Sequence, residues 1–169
     1  PFVPNYYDNT VVCYSWSKSL SLPGERIGYI LVPNSVENAE ELMAAVNGSG
    51  RILGFVCAPS MFQKVITKCI DVMPDNSIYE KNRDLLEENL SKFGYEFAKP
   101  DGAFYFFIKS PFEGGGQELH ERAKEHDMLV VPAAGFGCPE YVRLSYCVKT
   151  EDIEKAIPIF EKMMEEKDK

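Results

Sequence analysis

The sequence predicts an α+β chain in two parts, and three observations carry that expectation. Apolar residues recur at helical spacing in two long stripes, Phe62, Val65, Ile66, Cys69, Ile70 and Met73, then Ile78, Leu85, Leu86, Leu90 and Phe93. Around them lie β-branched and aromatic segments over 10–14, 27–32, 103–108 and 141–147. Pro74 ends the first stripe just before Ser77 opens the second, which puts a domain boundary near residue 76. The expected parts are therefore 1–76 and 77–169.

Composition narrows the class. With 169 residues, 45% hydrophobic and 12% aromatic, the chain can bury one good core, or one domain with part of another. A formal charge of -8 with no basic cluster argues against nucleic acid as a partner. No apolar run approaches the roughly 18 residues of a membrane span, and no signal peptide is visible. The 5 cysteines are odd in number and lack metal spacing, so they read as small buried hydrophobes in a reducing, cytoplasmic setting. The two histidines, His120 and His126, share one polar segment and read as solvated, so no metal site is expected. The chain starts at Pro1, in a loop leading into a strand, as expected for a piece of a longer protein.

Each element has a local reason. A turn-rich lead precedes a buried strand over 10–14. A second strand over 27–32 ends at Pro33. Ser35 is a candidate N-cap for a helix with Ala39, Leu42, Met43 and Val46 on one face, and Gly48-Ser49-Gly50 should break it. Pro59 suits the first turn of the next helix. Ser77 with Glu80 makes a capping box, and Gly94 stops the helix that follows. Pro100-Asp101-Gly102 reads as the turn of a hairpin whose second arm, 103–108, is so apolar that both faces should be covered. A modest helix over 117–126 and a short strand over 128–131 follow. The loop from Pro132 to Gly137 is a weak phosphate cradle and is better read as a turn delivering the strand 141–147. The last helix should start at Thr150, and Pro158 should kink or shorten it.

Chemistry concentrates in Ser15-Trp16-Ser17-Lys18, at the end of the first strand, and in Pro23-Gly24-Glu25-Arg26 beyond it. An amine at the edge of a buried strand can become nucleophilic enough to attack a carbonyl, and an arginine fork with hydroxyls suits a phosphate. The longer pattern, with Ser15, Ser17, Lys18, Leu22, Gly24, Arg26 and Gly28 in register, resembles the lysine signature of class I/II aminotransferases, the fold type I pyridoxal-phosphate enzymes. That resemblance implies that Lys18 forms the Schiff base with the cofactor and that Ser15 and Arg26 hold its phosphate. Ser17 adds a further hydroxyl to the cofactor-binding set.

A second landmark lies downstream. Along 141–147, Val142, Leu144 and Tyr146 share one strand face while Arg143 and Ser145 take the other. An arginine in so apolar a strand needs an anion, and from this segment alone a salt bridge to one of the many carboxylates is favoured over a ligand. The resemblance implies the ligand: the family carries an Arg-x-Ser/Ala motif near its C-terminus whose arginine forks the substrate α-carboxylate, and Arg143 with Ser145 matches it. The stretch from Pro100 to Tyr105 likewise resembles a family segment lining the substrate side of the pocket.

The resemblance covers nearly the whole chain, and implies a small C-terminal α+β domain with a remnant of the large α/β domain of a fold type I transferase. The family's remaining cofactor contacts, including the aspartate at the pyridine nitrogen, lie upstream of its lysine and cannot be placed here. Two smaller departures are Ala133, where a glycine is frequent, and Cys57-Ala58, where relatives carry polar residues. The expected function is pyridoxal-phosphate-dependent transfer of an amino group between an amino acid and a 2-oxo acid, by a homodimer when full-length, with the fragment alone inactive. The same residues would serve a carbon–sulfur β-lyase, and a non-catalytic amino-acid-binding module is the alternative from another class.

Overall fold

A computed structural model of the chain describes residues 1–167. The chain divides into two compact units, Pro1–Pro74 and Asp75–Lys169.

The first unit is built on a two-stranded antiparallel ribbon, β1 (Val12–Ser15) against β2 (Gly28–Leu31), with Ser15 opposite Gly28. Between the strands the chain makes a one-turn helix, α1 (Trp16–Ser19), and a loop. Helices α2 (Ala39–Ile52) and α3 (Ser60–Cys69) follow. Only Ile27, Val32, Val36 and Ile66 are buried among this unit's large apolar residues, while Tyr14, Tyr29, Ile30 and Leu31 stay exposed. The expectation of a buried first strand is thus corrected: a two-stranded ribbon needs a layer packed on each face to bury alternate side chains, and α2 faces this one, through Met43 and Val46, only across an open cleft.

Helix α2 also differs from expectation. It begins after Asn38, a left-handed residue at φ 55°, rather than at Ser35, and it runs straight through Gly48-Ser49-Gly50. Glycine weakens a helix by about 1 kcal/mol without removing a hydrogen-bond donor, so the ladder continues. Pro59 stands at the N-cap of α3, one residue outside the helix.

The second unit holds the core. Helix α4 (Ser77–Phe93) leads into a four-stranded antiparallel sheet in the order β3 (Phe97–Ala98), β4 (Tyr105–Lys109), β6 (Tyr141–Ser145), β5 (Val131–Pro132). Helices α5 (Gly115–Glu125) and α6 (Thr150–Glu165) complete it. Phe106 and Ile108 of β4, Val142 and Leu144 of β6, Leu86 and Leu90 of α4, Leu119 of α5, and Phe160 and Met163 of α6 form one buried cluster. The other sheet face carries Tyr105, Phe107, Arg143 and Ser145, all half-buried. The apolar run over 103–108 therefore resolves into an alternation, with one face in the core and one only partly covered.

Several local signals act differently from their sequence reading. The Ser77 N–H bonds to Asp75 Oδ1 at 2.9 Å, so an aspartate satisfies this donor in place of the expected capping box. Gly94 closes α4 at φ 85°, a left-handed C-cap as expected. The short strand forms at Val131–Pro132, later than expected. Pro158 neither ends nor shortens α6, because Ile153, Phe160 and Met163 bury on the same helix and outweigh the roughly 3 kcal/mol that an internal proline costs. None of the cysteines is buried: Cys13, Cys57 and Cys147 are exposed, and Cys69 and Cys138 half-buried. His120 is not simply solvated, since its Nδ1 lies 2.7 Å from the Val130 carbonyl and ties α5 to the chain entering β5.

Candidate active site

The residues singled out from the sequence fall on both units, and each set is built by its own element. In the first unit β1 ends at Ser15, the N-cap of α1. Its Oγ accepts from the Ser17 N–H at 3.2 Å and donates to Ser17 Oγ at 2.8 Å. Tyr14 donates to Ser19 Oγ at 2.8 Å, so hydroxyl bonds bracket the turn that carries Lys18. Lys18 is exposed on this turn, rather than sitting at the edge of a buried strand. The turn is held against the second strand by the Trp16 N–H donating to the Ile27 carbonyl at 3.2 Å.

Arg26 stands beside that bond. It adopts φ 51°, a left-handed conformation uncommon outside glycine, and its Nη1 donates to the Pro23 carbonyl at 2.7 Å. That bond closes the loop and leaves most of the guanidinium's five donors for an anion. Ser21, also left-handed at φ 54°, bends the same loop. Strain of this kind persists where surrounding structure holds it, commonly at binding sites. Gly28 is required on the facing strand, because a Cβ there would run into the Tyr14 carbonyl oxygen. Two hydroxyls, a guanidinium and an amine thus share one end of the β1–β2 ribbon, the donor set that suits the phosphate and carbonyl of pyridoxal phosphate.

The second unit carries Arg143 in the middle of β6, with Phe107 of β4 on one side and Val131 of β5 on the other. Its backbone is therefore anchored in both directions. The guanidinium lies between two rings, 4.6 Å from the centroid of Tyr105 and 4.9 Å from that of Phe136. Phe136 reaches it from a 3-10 turn, Ala133–Phe136, capped by Gly137 at φ 78°. Among the described residues no carboxylate pairs with Arg143, so the salt bridge that its strand alone left open is not formed. Aromatic faces hold the fork flat without consuming its donors, which leaves it able to take a carboxylate through two parallel bonds.

Tyr105 lies in the stretch that the resemblance put on the substrate side of the pocket and Phe136 in the turn before β6, but the contact of their rings with Arg143 was not read from the sequence. The β4–β6 register puts Tyr105 on the Arg143 face, and Phe136 reaches the guanidinium through the fold of the 3-10 turn. No group of three or more metal-ligating side chains occurs among the described residues, and none of their helices is long and apolar enough to cross a membrane.

The family model for aminotransferase class I and II matches residues 3–160. The chain belongs to the class I and II aminotransferases. It is 31% identical over 95% of its length to a probable aspartate aminotransferase of Methanocaldococcus jannaschii, of which it spans 44%. An aspartate aminotransferase of Thermotoga maritima is 30% identical over 89% of the chain, which spans 38% of that enzyme. Among solved structures, an aminotransferase from Eubacterium rectale superposes on the whole chain with a TM-score of 0.92 and 57% identity, and the chain covers 42% of it. The chain thus spans less than half the length of these relatives.

Proposed function

We propose that this chain is the C-terminal part of a pyridoxal-phosphate-dependent aminotransferase that moves an amino group between an amino acid and a 2-oxo acid. The observation that carries the reading is Arg143, an arginine without an acidic partner among the described residues, held flat between Tyr105 and Phe136. Residues 1–76 belong, in this reading, to the large cofactor-binding domain and 77–169 to the small one. The exposed apolar faces of β1 and β2 support the first assignment, since strands of this composition normally lie inside a larger sheet.

Each residue then has a task. Arg26 and the Ser15 and Ser17 hydroxyls bind the cofactor phosphate, and Lys18 Nζ is the amine that holds the cofactor through its carbonyl carbon. Bound pyridoxal phosphate supplies an electron sink that acidifies the substrate's Cα–H bond. Lys18 Nζ would also be the base that takes the substrate's Cα proton and returns it. Arg143 forks the α-carboxylate and so fixes the direction in which the Cα–H bond points. The relatives are named for aspartate, for aspartate and prephenate, and for aromatic amino acids, so family membership leaves the substrate side chain open.

The test is borohydride reduction of the full-length protein loaded with pyridoxal phosphate, followed by peptide mapping, beside an Arg26→Ala variant. The expected result is one label per chain, on Lys18, much reduced in the variant. Label scattered over surface lysines and equal in both proteins would overturn the cofactor assignment. Product analysis with a 2-oxo acid acceptor then separates amino transfer from carbon–sulfur elimination.

A further inference from the structure

We propose that Tyr146 is a positioning residue for the Arg143 fork, held in place by Asn82 of α4 and acting through the Ala103–Tyr105 corner. The inference rests on the carboxylate role given to Arg143 above. Tyr146 follows β6 directly and lies on the core face, opposite to Arg143, with 2% of its surface exposed. It bonds twice to the start of the neighbouring arm. Its backbone N–H donates to the Phe104 carbonyl at 3.0 Å, which carries the β4–β6 pairing beyond Tyr105 and Ser145. Its hydroxyl donates to the Ala103 carbonyl at 3.0 Å.

Ala103 needs such a restraint. Its φ is 57°, a left-handed conformation that alanine holds only where neighbours enforce it. Two residues on, Tyr105 supplies one of the two rings that flatten the Arg143 guanidinium. The Tyr146 hydroxyl therefore sets the corner from which that ring is presented. Burial pushes the Tyr146 phenol up from its ordinary value, so the hydroxyl keeps its proton and stays a donor.

Asn82 holds the other side of Tyr146. It is fully buried, and its Nδ2 donates to the Tyr146 carbonyl at 3.1 Å and to the Val148 carbonyl at 2.8 Å. These are the carbonyls at which the chain leaves β6. A fully buried amide that bonds both of them fixes the exit of the arginine's strand to a 17-residue helix. Asn82 Oδ1 has no partner among the described residues. The residue is thus kept in the core with one polar atom unsatisfied, at a cost that its two Nδ2 bonds offset.

The test is a double-mutant cycle in the full-length protein loaded with pyridoxal phosphate. Tyr146→Phe and Arg143→Ala are made singly and together, and the equilibrium affinity for 2-oxoglutarate is measured by calorimetry alongside amino transfer. Tyr146→Phe removes only the hydroxyl and keeps the ring packed on Phe106, so the variant folds. The expected result is an affinity weakened about three- to tenfold by Tyr146→Phe when Arg143 is present, and unchanged by it when Arg143 is absent. An equal change in both backgrounds, no change in either, or no binding by the parent protein would overturn the proposal. Coupled binding without amino transfer would uphold Tyr146 and sink the aminotransferase reading; amino transfer without coupling would do the reverse.

Discussion

At the scale of single residues, side-chain geometry decides which atoms remain available for chemistry. Among the described residues Arg143 meets rings and no carboxylate, which leaves its donors available. Lysine keeps the charge but loses the planar fork and its stacking. Arg143→Lys is therefore expected to raise the half-saturating concentration of both amino acid and 2-oxo acid about ten- to a hundredfold, as loss of a charge-assisted bidentate contact does. Initial-rate kinetics in the full-length protein check this, with equal KM values in parent and variant as the contrary result. Gly28 makes a different demand. A methyl group there meets the Tyr14 carbonyl, so Gly28→Ala should cost about 1–3 kcal/mol and loosen the end of the ribbon bearing Ser15 and Arg26. Urea denaturation followed by Trp16 fluorescence would show it as a lower midpoint.

At the scale of elements, the second unit depends on polar bonds between its helices and the strand ends. Removing Asn82 leaves the Tyr146 and Val148 carbonyls without their buried donor, so Asn82→Ala should lower stability by about 2–4 kcal/mol. A thermal melt within a degree or two of the parent would contradict that. Tyr95, at the end of α4, donates its hydroxyl to the Phe160 carbonyl at 2.9 Å and packs edge-on against that ring. Burial pushes its phenol well above the ordinary value of 10.0. Because the folded-state value is raised, the stabilisation is complete below pH 10 and is lost as pH rises toward the folded-state value. The unit should therefore weaken on going from about pH 9 to about pH 11, and Tyr95→Phe should reduce that loss, as denaturant midpoints at the two pH values would show.

At the scale of the whole chain, the two units differ in how much core they own. Residues from Asp75 onward carry the large buried cluster around Phe106, Leu86 and Phe160, whereas the first unit buries only Ile27, Val32, Val36 and Ile66 among its larger apolar side chains. A polypeptide of residues 75–169 should fold cooperatively alone, and one of 1–74 should not. Circular dichroism of the two pieces checks this, and a sharp melt for 1–74 would be the contrary outcome. Lys18, the lysine proposed to hold the cofactor, would then sit on the part that does not fold alone, and Arg143, the proposed carboxylate fork, on the part that does.

Much of this was legible in the sequence, and for local reasons. The strand alternation that puts Val142, Leu144 and Tyr146 inward and Arg143 outward is set by backbone pleat alone, and Gly94 ends α4 because only a residue at ease with positive φ closes a helix that way. The lysine signature and the Arg-x-Ser pattern were likewise readable, as ordered residue types at fixed spacing. What the sequence could not determine depended on partners far along the chain. The exposure of β1 and β2 follows from which layers cover them, and the continuity of α6 through Pro158 follows from core burial that outweighs a local penalty. The Tyr105 ring on Arg143, the buried grip of Asn82 and the Tyr146 bond to Ala103 join residues tens of positions apart. Only the tertiary structure could decide them, because spacing along a chain carries no information about which distant side chains the packed core brings within hydrogen-bond reach.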